Sequence, residues 1–207
     1  MDVLVVYYSL YGHTLKMATA AREGAESVSD VDVTFRRVAE FREVEEQMAN
    51  DQYAKPVWDQ QKDISVCELD DLRRADGLIL ASPTRYGNMV AQMKKLIDGT
   101  APLWLKGEME GKPAGLITST ATTHGGQETT LLSMMLPLLH MGMILVGVPY
   151  STPGLLHTEG RGGTPYGATT VAGSKNELRP TPEDLEIAKA LGRRVADCAV
   201  KLRGQGR

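Results

Sequence analysis

The sequence lacks several features that mark particular classes of protein. Its 207 residues include only two cysteines, Cys67 and Cys198, with no C-x-x-C or histidine spacing that would assemble a metal site. Lysine and arginine (23) nearly balance aspartate and glutamate (26), and the formal net charge of -3 gives no basis for binding nucleic acid or an anionic membrane. We expect ordinary thiols in a reducing compartment, no metal, and a small molecule as partner.

The sequence also lacks an uninterrupted apolar run of membrane-spanning length. The stretch LLSMMLPLLHMGMILVG starts at Leu131 and is broken by Pro137, His140 and Gly142. Its pieces are shorter than the about 20 residues that a span needs, so a buried helix followed by a buried strand explains it better. The first residues enter an apolar strand with no basic segment before them, so no signal peptide is visible and we expect a cytoplasmic protein.

The hydrophobic pattern alternates between two kinds of segment. Runs rich in β-branched residues and leucine, bounded by turn residues, occur at 3–8, 31–38, 77–82, 113–119 and 143–148. Helical spacing occurs at 14–28, 69–74, 90–97, 127–141 and 183–202. Four of the strand-like runs are apolar on successive positions, whereas 31–38 alternates like an edge strand. The pattern predicts a doubly wound, parallel five-stranded sheet with helices on both faces, formed by one domain over 1–207.

Two stretches interrupt this alternation. Residues 39–68 are charged and only weakly periodic, which indicates a partly helical surface excursion. Residues 150–174 form a glycine-rich segment that is too long for a simple connection, and such segments are often functional or form interfaces. We expect both stretches to be insertions into the basic fold.

Three polar, glycine-containing segments follow strand-like runs. They are SLYGHT (9–14), SPTRYGNM (82–89) and STATTHGGQE (119–128). Ligands of open parallel sheets bind beyond the carboxyl ends of the strands, so these loops are expected to share one crevice. The first loop opens a helix, whose N-terminus favours an anion. Since the nucleotide patterns G-x-x-x-x-G-K-[ST] and G-x-G-x-x-G are absent, a monophosphate is favoured over a triphosphate or a dinucleotide.

Each loop also has a simpler explanation when it is taken alone. Ser9 or Thr14 can act as a plain N-cap, and Arg85 can be a solvated side chain in a generic strand-to-helix loop. The third loop can be a polar turn with an N-cap. Turn chemistry explains three such loops at one sheet edge much less well than it explains any one of them.

The three loops, together with RGGTPYGATT at 161–170, resemble the WrbA family of flavodoxin-like NAD(P)H:quinone oxidoreductases. The resemblance spans Val3 to about Leu202, and RGGTPYGATT is its most specific string. It implies a flavodoxin-like sheet of strand order 2-1-3-4-5, bound FMN, and NADH or NADPH as the electron donor. It also implies a homotetramer whose active sites combine residues of neighbouring subunits.

The resemblance implies a role for particular residues. Ser9, Leu10, Tyr11, Gly12, His13 and Thr14 would hold the FMN phosphate, and Tyr11 would also contact the nicotinamide. Residues of the second loop would line the isoalloxazine ring and ribityl chain; they are Pro83, Thr84, Arg85, Tyr86, Gly87 and Asn88. Residues of the third loop would enclose the other edge of the ring; they are Ser119, Thr120, Ala121, Thr122, Thr123, His124 and Gly125.

Two further residues come from the same resemblance. His140 would reach the flavin from another subunit, and Trp104 would stack near the quinone. Without the resemblance, His140 is equally well a satisfied core histidine and Trp104 a filler of a hydrophobic gap. The third loop departs from the family pattern, because Ala121, Thr123 and His124 make it one residue longer and less rich in glycine.

The implied activity is a two-electron transfer from NAD(P)H through FMN to a quinone, with both substrates using one face in turn, which predicts ping-pong kinetics. No side-chain nucleophile is required, and no G-x-S-x-G segment supports a hydrolase. The alternatives are a one-electron carrier of the flavodoxin type and an FMN-bound module for protein interaction. The modest charge and the 150–174 segment disfavour a carrier, and no recognisable DNA-reading motif supports nucleic-acid binding.

Overall fold

A computed structural model describes residues 1–156, 158 and 161–203. Part of the predicted 150–174 segment, residues 157, 159 and 160, lies outside the described residues. The strands are β1 (Asp2–Tyr7), β2 (Asp32–Arg37), β3 (Gly77–Pro83), β4 (Pro113–Thr120), β5 (Ile144–Leu145) and β6 (Ala168–Val171). The helices are α1 (His13–Glu26), α2 (Arg42–Met48), α3 (Lys55–Gln61), α4 (Leu69–Arg74), α5 (Ala91–Asp98), α6 (Ala101–Trp104), α7 (Gln127–His140) and α8 (Pro182–Arg203).

The strands form one parallel sheet in the order β2-β1-β3-β4-β5. This order and the covering helices confirm the predicted doubly wound fold. The register pairs Tyr7 with Ala81, and Pro83 with Ser119. The carboxyl ends of β1, β3 and β4 therefore lie at the same edge of the sheet.

The described residues form six strands, not the predicted five, because Ala168–Val171 adds a strand beside β4, and the run 143–148 forms a shorter strand than expected. Only Ile144 and Leu145 pair as a strand, opposite Pro113 and Ala114. Further along the same edge, β6 pairs with Ile117–Thr120 of β4. Residues 146–167 thus separate two strands that share one edge of β4, and part of the predicted loop 150–174 is a strand.

The apolar residues of the strands face two separate cores, one on each side of the sheet. Leu4 and Val6 of β1 point to the side covered by α4, α5 and α7, and Val3 and Val5 point to the side covered by α1 and α8. Because successive strand residues point to opposite faces, burial on both faces accounts for the continuous apolar runs in the sequence. β2 forms one edge of the sheet, and none of its residues is fully buried.

The stretch 39–68 contains α2 and α3, in agreement with the predicted partly helical excursion. Both cysteines are free, and burial raises the pKa of the Cys67 thiol to about 12, so it is not a reactive thiolate at neutral pH. None of the helices formed by the described residues combines the length and the apolar content that a membrane crossing requires.

Candidate functional site

A cleft of about 150 Å³ opens at the edge of the sheet where β1, β3 and β4 end. All three predicted loops contribute to it, and so does the segment after β6. Its lining residues are Ser9, Leu10, Tyr11, His13, Thr14, Pro83, Thr84, Arg85, Ser119, Thr120, Ala121, Ala172 and Asn176. The convergence of the three loops is the arrangement expected from the sequence.

The first loop presents hydrogen-bond donors at the start of α1. Gly12 is the N-cap with φ of 90°, a conformation that costs a residue with a side chain about 1–2 kcal/mol. Ser9 Oγ accepts a hydrogen bond from the Gly12 N–H at 3.1 Å, and Thr14 Oγ1 lies 3.1 Å from Ser119 Oγ. The backbone N–H groups of the first helical turn have no intrahelical acceptor and lie at the positive end of the helix dipole, so this loop can bind an anion.

His13 ties this loop to the segment after β6. Its side chain is buried, and its Nε2 donates a hydrogen bond to the Leu178 carbonyl at 2.7 Å. Burial lowers the pKa of His13, and the positive charges of Arg179 and Lys16 lower it further, whereas the bond to Leu178 opposes the shift. A neutral ring that donates through Nε2 fits this position.

The 39–68 stretch also supports the first loop. Gln61 is buried, and its Nε2 donates to the Ser9 carbonyl at 2.7 Å. A Cβ placed on Gly12 would lie 3.3 Å from Val57 Cγ2, so α3 packs closely against the turn. The 39–68 stretch and the segment after β6 thus hold the backbone of 9–13 in place.

The second loop is a tight turn. Arg85 and Asn88 exchange backbone hydrogen bonds, and the two residues between them, Tyr86 and Gly87, have φ of 54° and 78°. Two central residues with positive φ are typical of a type I′ turn. The turn leaves the Tyr86 ring fully exposed at the rim of the cleft. A strained, exposed aromatic residue beside a cleft is a candidate contact for a ligand.

Hydroxyl groups connect the second loop to the third. Thr84 and Thr130 hydrogen-bond through their hydroxyls at 2.8 Å, and Thr84 Oγ1 also accepts the Gly87 N–H at 3.1 Å. The Thr130 hydroxyl also reaches the Gly126 carbonyl at 2.7 Å. The buried side chains of Gln127 and Thr169 hydrogen-bond below the cleft. These bonds fix the start of α7 relative to β3 and β6.

The structure divides the predicted cofactor residues into three groups. Eleven of them line the cleft, as given above. Others belong to the same loops without lining it; they are Gly12, Tyr86, Gly87, Asn88, Thr122, Thr123, His124 and Gly125. His140 lines a different groove of about 400 Å³, together with Trp104, Pro137 and Met141. The structure therefore brings His140 and Trp104 next to each other, but outside the cleft of this chain.

Two lining residues, Ala172 and Asn176, were not among the predicted site residues. They follow β6, whose carboxyl end lies beside that of β4. Ligands of parallel sheets bind beyond the carboxyl ends of the strands, which is why the other three loops were selected. The loop after β6 would have been selected in the same way if ATTV had been predicted to be a strand.

The donor set of the cleft suits a phosphorylated ligand with polar and aromatic parts. Among the described residues that line the cleft, Arg85 is the only cation, and there is no carboxylate. Helix-terminal N–H groups and the hydroxyls of Ser9, Thr14 and Ser119 supply further donors. FMN, which has one phosphate, a polyhydroxyl chain and a flat ring, fits this set. Among the described residues, no cluster of three metal-ligating side chains occurs.

Comparison with known proteins gives consistent results. The family model described as NADPH-dependent FMN reductase matches residues 1–153. A protein of Solidesulfovibrio magneticus described as NAD(P)H dehydrogenase (quinone) is 44% identical over 98% of this chain and 100% of its own length. A Geobacter sulfurreducens protein of the same description is 45% identical over 99% of this chain and all of its own.

Solved structures show the same architecture. A flavodoxin, WrbA-like protein from Agrobacterium tumefaciens superposes with a TM-score of 0.67 at 26% identity, covering 97% of this chain and 98% of that chain. A flavodoxin from the domain Archaea reaches a TM-score of 0.61 at 22% identity, which supports the fold alone.

Proposed function

The chain belongs to the family of NADPH-dependent FMN reductases, and from this premise we propose that it binds FMN in the cleft and transfers two electrons from NAD(P)H to a quinone. The observation that carries the proposal is the convergence of loops 9–14, 82–89 and 119–128 beside the N-terminus of α1. The full-length relatives described as NAD(P)H dehydrogenase (quinone) support the same reaction.

The first loop would hold the phosphate of FMN. The N–H groups at the start of α1 and the hydroxyls of Ser9 and Thr14 are suited to bind its oxygens. His13 would donate to Leu178 rather than to the phosphate, because its Nε2 is already engaged at 2.7 Å. We therefore assign His13 the role of positioning the loop.

The second and third loops would enclose the ring system. Thr84 and Arg85 lie on one side of the cleft, and Ser119 to Ala121 lie on the other. Tyr86, exposed at the rim, would cover the ring once it is bound. Bound FMN would supply the redox chemistry, accepting two electrons from NAD(P)H and giving them to the quinone.

Arg85 is the residue of this chain best placed to stabilise negative charge that develops in the cleft. Its Nη1 donates to the Thr84 carbonyl at 2.9 Å, and this bond holds the side chain near the loop. A cation fixed before the reaction stabilises charge without reorganisation of the site. Tyr11 would contact the nicotinamide as it enters.

His140 and Trp104 would act on the cleft of a neighbouring subunit in a homotetramer. Support comes from their position in a groove of their own and from the exposed leucines beside them on α7. We further propose a cytoplasmic location and one FMN-binding domain over the whole chain, in keeping with the two free cysteines and the shared sheet.

Steady-state kinetics of FMN-loaded protein test the order of the reaction. With NADPH and benzoquinone varied together, use of one face by both substrates in turn predicts parallel lines in double-reciprocal plots. Intersecting lines would show that both substrates bind at once and would overturn the ping-pong order.

The second candidate function is a one-electron carrier, favoured by the likeness of the fold to flavodoxins. Stepwise reduction of the FMN-loaded protein separates the two functions. A carrier would accumulate a long-lived one-electron radical with its own visible absorbance, whereas a two-electron enzyme would pass directly to the fully reduced form.

A further inference from the structure

A second groove, of about 620 Å³, lies beside the cleft. Its walls come from the start of α1, from the α2–α3 insertion and from the loop after β6. Tyr11 and Asn176 line both the groove and the cleft. The two cavities are therefore neighbours, and a molecule with one end in the cleft can extend into the groove.

The groove has an excess of positive charge. Lys16, Lys175 and Arg179 line it, and Glu177 is the only carboxylate among its described lining residues. The Glu177 carboxylate accepts the Lys175 N–H at 2.8 Å and so is turned back onto its own loop. Across the part of the chain that the structure describes, neither Lys16 nor Arg179 forms an ion pair.

Two of the three cations lie near the same buried side chain. Lys16 and Arg179 are both close enough to His13 to lower the pKa of its buried ring, although burial is the larger cause. The bond from His13 Nε2 to the Leu178 carbonyl fixes the chain just before Arg179 relative to α1. Cations from two separate segments of the chain thus line the groove near His13.

Residues of the 39–68 stretch give the groove apolar and amide surface. Tyr53 is 68% exposed, and Pro56 and Val57 lie next to it in the groove. Gln52 and Gln60 add amide groups that can donate and accept hydrogen bonds. A flat aromatic base could stack on Tyr53 while its phosphate groups face the cations.

We propose that this groove binds the adenosine half of the nicotinamide dinucleotide, with Lys16, Lys175 and Arg179 recognising the 2′-phosphate, so that the enzyme prefers NADPH to NADH. The inference rests on the proposed function, because it places the nicotinamide end in the adjoining cleft. The 39–68 stretch and the segment after β6 then serve the same substrate. The 2′-phosphate is the only group that distinguishes the two donors. Lys16, Lys175 and Arg179 are suited to bind it through charge-assisted hydrogen bonds, and neither Lys16 nor Arg179 forms an ion pair among the described residues.

The test uses two small molecules that differ only in that group. Adenosine 2′,5′-bisphosphate carries the 2′-phosphate and adenosine 5′-monophosphate does not. Calorimetry on the FMN-loaded protein should show tighter binding of the bisphosphate by at least about tenfold. The double variant Lys175→Gln/Arg179→Gln should remove most of this difference, while Lys201→Gln, an exposed cation on the last turn of α8, should not.

Kinetics with both donors give a second readout. The double variant should lose about tenfold in kcat/KM with NADPH and less than about threefold with NADH, and its affinity for FMN should be unchanged. Equal binding of the two adenosine nucleotides by the unaltered protein would overturn the proposal. So would a loss of FMN affinity in the double variant, since the cations would then serve the flavin phosphate.

The experiments distinguish failure of the proposed quinone reductase function from failure of the groove assignment. Protein that binds the bisphosphate selectively but does not reduce a quinone would retain the groove assignment and lose the quinone reductase activity. Protein that reduces a quinone equally well with both donors would lose the groove assignment alone.

Discussion

The two ends of α7 lie in contrasting surroundings. At its start, Gly126 packs against Gly87, and the polar side chains of Gln127 and Thr130 are buried and hydrogen-bonded within the chain. At its end, Leu136 and Leu139 are 62% and 54% exposed, beside a groove that contains His140 and Trp104. One end is enclosed by this chain, whereas the other presents apolar surface to its surroundings.

The difference indicates which part of the active site one chain can build. The buried hydroxyl network needs no other molecule, because its members bond to one another. Exposed leucines around a histidine and a tryptophan are the pattern expected of a surface that another chain covers. We therefore expect FMN binding to depend on the first end of α7 and assembly to depend on the second.

The largest expected effect is on stability, and it differs between a buried and an exposed leucine near the exposed end of α7. Leu138 is fully buried, so Leu138→Ala should lower the free energy of unfolding by about 2–5 kcal/mol, since it leaves a cavity in the core. Leu136→Ala should change the stability of a single chain by less than about 0.5 kcal/mol. Urea denaturation at several protein concentrations measures both. A concentration-independent loss of several kcal/mol in Leu136→Ala would contradict the assignment of this face to assembly.

The next effect concerns the enclosed end. Gly126 has φ of 94°, and a Cβ there would lie 2.9 Å from Gly87 Cα. Gly126→Ala should cost about 2–4 kcal/mol, because strain and overlap add, and it should weaken FMN binding. Gly111 is the matched control: its φ is 70°, and a Cβ there meets nothing within 4 Å. Gly111→Ala should cost only about 1–2 kcal/mol and leave FMN affinity intact, and equal effects at both positions would contradict this account.

A smaller effect should follow loss of the hydroxyl between the second and third loops. Thr130→Val keeps the shape but removes the bonds to Thr84 and to the Gly126 carbonyl. We expect a loss of about 1 kcal/mol in stability and a measurable fall in FMN affinity by fluorescence titration. Ser133→Ala, which removes a bond within the same helix, should leave FMN affinity unchanged.

The smallest expected effect is a dependence of stability on pH at His13. Burial lowers the pKa of His13 below the value of about 6.5 for an unfolded chain, so the unfolded state binds more protons in that range. Stability should therefore fall as the pH drops below about 6.5, down to the pKa of the folded state. His13→Gln should flatten this part of the pH profile measured by thermal unfolding. A profile that is identical in the variant would show that His13 makes no contribution.

The sequence predicted most strands of the sheet correctly, but it predicted the edge beside β4 less well. The strand order implied by the family resemblance is confirmed, and the apolar runs located most of the strands because strands covered on both faces are apolar at successive positions. β6 was missed since ATTV is short and lies in a glycine-rich segment, and β5 proved shorter than its apolar run. Val146 and Val148 of that run are buried in the core without continuing the strand, so hydrophobicity alone could not place its end.

The cleft was predictable to a similar degree. Turn residues after β1, β3 and β4 located Ser9, Thr84 and Ser119, because the order of strands in the sheet brings the ends of these three together. The resemblance to the WrbA family is confirmed by the family match and by the WrbA-like neighbour. The position of Asn176 and the bond from His13 to Leu178 depend on how the segment after β6 folds back over the first loop, which no local pattern encodes.

The most direct test of the central claim is anaerobic mixing of the FMN-loaded protein with NADPH, followed by benzoquinone, with the flavin absorbance recorded throughout. Our account predicts rapid loss of the oxidised flavin band after NADPH and its full return after the quinone. FMN that binds but is not reduced by either nicotinamide donor, or a protein that does not bind FMN at all, would contradict it.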